Sequence, residues 1–493
     1  MKIGFDNDLY LKTQSEHIKE RIEKFGGKLY LEFGGKLFDD YHASRVLPGF
    51  HPDSKISMLM QLKDQAEAIV CINSNDIEKN KIRGDLGITY DLEVMRLIDS
   101  FENRGIKVCG VVLTMYAEQR AAKIFEQRLV DQGMDVYHHY KIEGYPANIP
   151  LIVSEAGYGK NEFVKTSKPL VIVTAPGPGS GKMAVCLSQL YHENKNGIKA
   201  GYAKFETFPI WNLPLMHPVN IAYEAATADL DDKNMIDPFH LTAYGETAVN
   251  YNRDIEVFPV LNEMLNQIMG ISPYKSPTDM GVNMVGRCII DDAVVRKAAE
   301  EEIIRRYLNA QRERRQGNGS DRIVTKIDLL MKQLDIREDD RKVVSAVRKK
   351  MSSVDVPVAA IELSDGTIVT GKAGDLLGAS PAMILNALKV IANIPDDVHL
   401  IAPEFVEPVR KLKEIMGEKN VTLTINDVLI ALSIYAGKDE NARRALEQLS
   451  NLKGCEVHLS IIPNSVNEAT YRRLGVNLTC EPRYETNCMY HRN

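Results

Sequence analysis

No apolar run in this chain approaches the roughly twenty residues that a membrane-spanning helix needs. The opening residues Met1-Lys2-Ile3-Gly4-Phe5-Asp6-Asn7-Asp8 carry neither the basic region nor the apolar core of an export signal. The expectation is a cytoplasmic protein with no membrane partner. Cysteine is sparse and unpatterned. There are seven, none in a Cys-x-x-Cys pair, which argues against a disulfide framework and fits a reducing compartment. Near the end, Cys480, Cys488 and His491 fall one ligand short of a structural zinc site, so no metal set is assigned. An H-E-x-x-H helix is missing, and metalloprotease chemistry has no basis without it. Basic residues are not in excess, since the net charge is -6. Nothing therefore demands nucleic acid as a partner.

What is present is ordinary in bulk and particular in detail. A chain of 493 residues with 44% hydrophobic and 26% charged residues is globular and too long for one core, which predicts about three domains. Strand and helix patterns alternate from the N-terminus. Strands are expected at 28–33, 68–72 and 108–114, with shorter ones at 136–140 and 151–154. Helices are expected at 55–65, 90–101 and 117–132. The strand runs lack clean alternation, as in a parallel sheet buried on both faces.

The most informative stretch is Pro169-Leu170-Val171-Ile172-Val173-Thr174-Ala175-Pro176-Gly177-Pro178-Gly179-Ser180-Gly181-Lys182. A β-branched run ends in a Gly/Pro loop, then a lysine, then a helical pattern. Glycines let backbone amides turn inward, and the helix start adds N–H groups and the positive end of its dipole. Gly177, Pro178, Gly179, Ser180, Gly181, Lys182 and Met183 are the candidate phosphate cradle, with Lys182 as its mobile charge. The match to G-x-x-x-x-G-K-[ST] is incomplete. Pro176 stands at the first glycine and Met183 at the hydroxyl that ligates magnesium. Methionine does not ligate a hard cation, so magnesium would need other groups. The alternative is a tight turn with a solvent-facing lysine.

The next strand, Ile198-Lys199-Ala200-Gly201-Tyr202-Ala203-Lys204-Phe205-Glu206-Thr207, resembles the second strand of dethiobiotin-synthetase-type P-loop proteins, where a lysine nears the phosphates. By that resemblance Lys204 and Glu206 join Lys182 as candidate catalytic residues. Lys204 would neutralise the transferred group, and Glu206 would hold a metal or activate a nucleophile. A simple ion pair between them is the alternative.

Other loops hold substrate candidates. After the first strand, Gly35, Lys36 and Arg45 are placed to meet a second anionic group, with Asp39, Asp40 or His42 as proton carriers. Between 208 and 274 lie the only tryptophan, Trp211, and His240, Asn252 and Arg253, in polar, Pro-rich and aromatic sequence typical of a pocket built from loops. Asp291-Asp292 reads as a helix start. Helices follow at 293–315, 323–334 and 338–351. Beyond Val356 a hairpin turns at Ser364-Asp365-Gly366, and Ser380-Pro381 opens a helix to 391. Strands are expected at 398–401, 456–462 and 477–479. Lys372 is a weaker anion candidate.

The combined pattern APGPGSGK, AGYAKFETFPIWNLPL, IDPFHLTAYGE, VNYNRDIEVFP and SPTDMGVNM resembles an uncharacterised bacterial family of about five hundred residues, over essentially the whole chain. The resemblance implies a P-loop-like region, a helical insert and a C-terminal α/β domain similar in topology to cytidine deaminases, but no reaction. The H-x-E and P-C-x-x-C zinc signature is absent from the C-terminal part, so deamination has no support. The expected architecture is multi-domain α/β. It has a Rossmann/P-loop-like region with a parallel sheet at 1–165, a P-loop-like region with substrate loops at 166–290, a helical connector at 291–355 and an α/β domain at 356–493. The expected function is binding of ATP, another nucleotide or a phosphorylated small molecule, used in a ligase- or transferase-type reaction. A non-catalytic sensor is the alternative, and a homo-oligomer is left open.

Overall fold

The computed structural model describes residues 2–84, 86–418 and 421–485. The chain forms two compact units, one of residues 2–224 and 230–299, the other of residues 225–229 and 300–493.

The first unit is built on seven parallel strands: β1 (Leu29–Phe33), β2 (Ala66–Asn73), β3 (Val108–Thr114), β4 (Val136–His138), β5 (Leu170–Thr174), β6 (Gly201–Phe205) and β7 (Gly281–Val282). Their order across the sheet is β7-β6-β1-β5-β2-β3-β4. β1, β3 and β5 are buried at every residue. Their continuous apolar sequence is the signature of a sheet covered on both faces. The chain runs from β1 outward to β4, returns to insert β5 between β1 and β2, then crosses to β6 on the other side of β1. That reversal places a switch point at the carboxyl ends of β1, β5 and β6, where open α/β sheets bind ligands.

This topology corrects the boundary expected at 165/166. β5 and β6 lie on either side of β1, with Leu29 opposite both Leu170 and Gly201. The segments 1–165 and 166–290 therefore share one sheet. A second correction concerns 151–154, read as a strand. Asn148 caps a short helix, Ile149–Ile152, with Pro150 in its first turn. An Asn cap with Pro two residues later is a helix-start signal that outranks the three apolar residues Leu151, Ile152 and Val153.

The principal helices of this unit are α1 (Asn7–Lys24), α2 (Tyr90–Glu102), α3 (Arg120–Asp131), α4 (Lys182–Lys195), α5 (Pro218–Ala226) and α6 (Asn252–Met269), and α7 (Asp292–Arg315) leads out of it. α1 starts on Asp6, whose carboxylate accepts from Leu9 N at 2.9 Å. α4 starts on Gly181, which sits at φ +87° and contributes no side-chain cap.

The second unit carries a four-stranded sheet of β8 (Val358–Glu362), β9 (Ile368–Lys372), β10 (Glu456–Leu459) and β11 (Asn477–Cys480), in the order β9-β8-β10-β11. Its helices include α8 (Asp321–Gln333), α9 (Lys342–Met351) and α10 (Ala379–Ile391). β8 alternates faces as a strand must. Val358 and Ala360 pack against Val343 and Val347 of α9, while Ala359 and Ile361 join Met383 and Ile384 of α10. The expected connector at 291–355 is thus no free-standing link, because α9 closes one face of this sheet. α10 begins on Gly378 rather than Ser380, so Ser380-Pro381 falls inside its first turn. Residues 398–401 form no strand. Of the terminal zinc candidates, Cys480 is buried on β11, and Cys488 and His491 lie outside the described residues.

Candidate functional site

The carboxyl ends of β1, β2, β3, β5 and β6 bring together most of the residues singled out in the sequence. The Gly/Pro loop at 175–181 leaves β5 and enters α4 directly. It is clamped from the ends of β2 and β3, on one side of β5. Asn73 Nδ2 donates to the Gly179 carbonyl at 3.2 Å, and Thr114 Oγ1 donates to the Ser180 carbonyl at 2.8 Å. Gly177 faces the Tyr90 hydroxyl, which lies 2.2 Å from where a Cβ would sit. Only glycine fits there. Ser180 is fully buried and its hydroxyl closes the turn onto the Gly177 carbonyl at 2.9 Å. That hydroxyl holds the loop together rather than facing a ligand. Pro178 and Gly179 are exposed at the tip, and Gly181, Lys182 and Met183 are half-buried. Lys182 makes no ion pair among the described residues. Its charge opposes part of the rise that burial imposes on the Cys71 and Cys186 thiols.

Beside this loop runs a cleft lined by Met183, Tyr202, Lys204, Asp254, Phe258 and Leu261, among others. Lys204 Nζ lies 2.6 Å from Glu206 Oε1 and 2.6 Å from Asp254 Oδ2. Behind them Tyr202 donates to Glu32 at 2.6 Å. Side-chain exposures of 19%, 18% and 15% for Lys204, Glu206 and Asp254 mean that the cluster is mostly desolvated yet still reachable. Burial opposes the charge on Lys204, but Asp254, Glu206 and Glu32 outweigh it and hold the ammonium above its ordinary value. Glu206 moves the other way for a carboxylate that needs its charge. Burial, with Asp254 and Glu32, outweighs Lys204 and pushes it up to about 7. Such a group takes up or releases a proton near neutral pH.

Loops after β1 and β6 meet closely. Gly34 N donates to the Phe205 carbonyl at 2.8 Å, and a Cβ on Gly34 would lie 2.8 Å from that oxygen and 3.3 Å from Glu206 Cγ. The next glycine, Gly35, is exposed, and Lys36 and Arg45 are half-buried in the same connection. Asp40 pairs with the buried Lys55 at 2.6 Å. Burial raises the Asp40 carboxyl, but Lys55 outweighs it and the net shift is downward. His42 stands edge-on to Phe208 and Tyr223. Phe208, Tyr223 and Tyr251 stack in series, with centroids 5.0 and 5.7 Å apart.

Not every candidate converges on this edge in the same role. His240 is buried with Nδ1 3.0 Å from Ser276 Oγ, its ring beside Trp211 and Tyr244. Asn252 Oδ1 accepts from Lys233 N at 2.9 Å and Arg253 pairs with Asp232 at 3.2 Å, so both are engaged in holding their own segment. Sequence reasoning missed Glu32, Asn73, Tyr90 and Thr114, whereas Asp254 closes the polar segment from Trp211 that was expected to share a pocket with Lys204 and Glu206, and it does pair with Lys204. A lysine ending a buried strand calls for more than one counter-ion, which is the signal that points to Asp254 and Glu32.

The chain matches two family models, the N-terminal one over residues 3–335 and the C-terminal one over residues 339–490, both described as domain of unknown function DUF1846. It is 54% identical over 490 residues to UPF0371 protein cu0538 of Corynebacterium urealyticum, covering 99% of each chain. It is 55% identical over 492 residues to the UPF0371 protein of Corynebacterium glutamicum, and 54% over 490 to that of Streptococcus pneumoniae, again with 99% of each chain covered. The chain belongs to the DUF1846 (UPF0371) family. Among the described residues no helix is long and apolar enough to cross a membrane, and no group of three or more His, Cys, Asp or Glu is placed to hold a metal ion.

Proposed function

We propose that the first unit binds a phosphorylated small molecule, ATP or another nucleotide among the candidates, at the loop of residues 175–181, and uses it in a ligase- or transferase-type reaction. The observation that carries this reading is the start of α4. A helix of 14 residues begins at the carboxyl edge of a parallel sheet without a side-chain cap, and its first residue, Lys182, has no ion-pair partner among the described residues. Uncapped N–H groups, the positive dipole end and a free ammonium are the three elements of an anion site. Gly177, where the Tyr90 hydroxyl leaves no room for a Cβ, and Gly181, held at φ +87°, fit a backbone held open toward a ligand. Asn73 and Thr114 fix the loop before any ligand arrives, which lowers the ordering cost of binding.

Turnover draws on the adjoining cluster. Lys204, which lines the cleft together with Met183, supplies positive charge, and Glu206, paired with it, a carboxyl that titrates near neutrality. A second reading, a sensor that binds without reacting, is favoured by Met183 itself. It occupies the position where a hydroxyl would ligate magnesium, and a thioether is no ligand for that ion.

The test is a thermal-shift panel of nucleotides and sugar phosphates, followed by calorimetric titration of the best binder into wild type and Lys182→Met. One charge-assisted contact is worth about 1.5–3 kcal/mol, so affinity should fall roughly tenfold to a hundredfold. Equal affinities would remove Lys182 from the site, and an absence of binders would remove the anion site itself. Product formation from the bound nucleotide separates the reacting protein from the sensor.

A further inference from the structure

In the loop of residues 175–181 the carbonyls are engaged and the amides are not. Gly177 O accepts from Ser180 Oγ, Gly179 O from Asn73 Nδ2, Ser180 O from Thr114 Oγ1 and Gly181 O from Val185 N. The N–H groups of Gly177, Gly179, Ser180 and Gly181 donate to nothing among the described residues. Gly179 and Gly181 stand at φ +78° and +87°, the left-handed backbone that gathers successive amides into an anion-binding nest. The first turn of α4 adds N–H groups that no intrahelical carbonyl can reach. Tyr90 supplies a side-chain donor at the other end of the loop. It is 6% exposed, its hydroxyl abuts Gly177, and that hydroxyl makes no hydrogen bond among the described residues. The Lys81 ammonium lies 4.8 Å from the Tyr90 ring centroid, with Asp76 3.3 Å away as its counter-ion.

Resting on anion binding at this loop, we infer that its occupant is a pyrophosphoryl unit rather than a lone phosphate, and that the Tyr90 hydroxyl donates to it. A polar group that is nine-tenths buried is seldom left without a partner. The loop carbonyls beside Tyr90 are already taken, so the acceptor that completes it is an oxygen of the ligand. A lone phosphate brings about three strong acceptor oxygens, which the amides around Gly181 and the Lys182 ammonium can satisfy. A second phosphoryl group carries acceptors on to Gly177 and Tyr90, at the opposite end of the loop. Pro178 and Gly179 at the tip are exposed, so the occupant arrives from open solvent and needs no closed cavity.

The experiment is calorimetric titration of the full chain with inorganic pyrophosphate and inorganic phosphate, on wild type, Tyr90→Phe and Lys182→Met. The buffer is magnesium-free at roughly 0.15 M salt, where long-range attraction is screened. Pyrophosphate should bind wild type at least tenfold more tightly than phosphate. Tyr90→Phe should weaken pyrophosphate about tenfold, the loss of one charge-assisted hydrogen bond. Its ligand-free melting temperature should stay within about two degrees of wild type, because no bond of the free chain uses that hydroxyl. Equal pyrophosphate affinity in wild type and Tyr90→Phe would overturn the inference. So would phosphate binding wild type as tightly as pyrophosphate, which decides the matter even if Tyr90→Phe does not fold. In both cases a loss of binding in Lys182→Met leaves the anion reading of the loop standing. Binding of neither probe to wild type would overturn both.

Discussion

Replacing Lys204 with methionine probes the electrostatics of the cleft most directly, because it keeps most of the stem and removes only the ammonium. That ammonium lies 2.6 Å from each of two carboxylates that are 18% and 15% exposed. Removing one partner of a buried pair costs about 3–5 kcal/mol, since the remaining charge stays desolvated. Some water reaches these acids and Glu206 can escape by taking up a proton, so the low end, about 3 kcal/mol at pH 8, is expected. The sign of the pH dependence follows from Glu206. Its folded value, about 7, stands above the unfolded value of roughly 4.3. Its contribution to stability is therefore complete below about pH 4.3 and lost as pH rises through 7. Without Lys204 the upward shift grows, so the variant loses more at pH 8 than at pH 5.5. Urea unfolding followed by Trp211 reads the first unit alone, because that residue is the single tryptophan and lies within it. Adding Glu206→Gln to the variant should recover part of the loss. A loss of equal size at both pH values, or none at pH 8, would refute the reasoning.

Three further outcomes are expected. Gly34→Ala forces a Cβ to within 2.8 Å of the Phe205 carbonyl and should cost about 1–3 kcal/mol in the same urea titration. Gly177→Ala drives a methyl against the Tyr90 hydroxyl and should lower stability by a similar amount. Tyr90→Phe, which removes the oxygen but leaves the ring carbon Cζ 2.6 Å away, should restore only part of it, and a double-mutant cycle measures that coupling. In the second unit, Arg341 is 1% exposed, donates to Thr479 Oγ1 at 2.6 Å and pairs with Glu456. Burial raises the Glu456 carboxyl, but Arg305 and Arg341 outweigh it and hold it low. Arg341→Met should cost about 3–5 kcal/mol, read by hydrogen exchange in β10 and β11.

What the sequence revealed, and what it hid, divides along the range of the forces involved. The strand, loop and helix at 170–195 were legible because each rests on local chemistry: β-branched residues, glycines at positive φ, and a helical period. The same holds for α2, α3 and the hairpin at 358–372. Strand order was not legible, because β5 pairs with β1 across some 140 residues and every buried strand presents the same featureless apolar run to a reader of sequence. The boundary placed at 165/166 failed for that reason.

The site shows the same division at the level of single side chains. Lys204 and Glu206 were visible as neighbours on one strand end, and an ion pair between them was one of two readings. The pair exists, yet a lone pair would not push Glu206 upward. That takes burial first, then Asp254 from α6 and Glu32 from β1, 50 and 172 residues from Lys204. Neither carries a local signal: Glu32 sits within an apolar strand, and Asp254 occupies the first turn of a helix, where an acid is ordinary. Only the crossing of β6 over β1 turns two unremarkable acids into the excess negative charge of the cleft. The functional reading of this edge therefore depends on its topology as much as on its glycine loop.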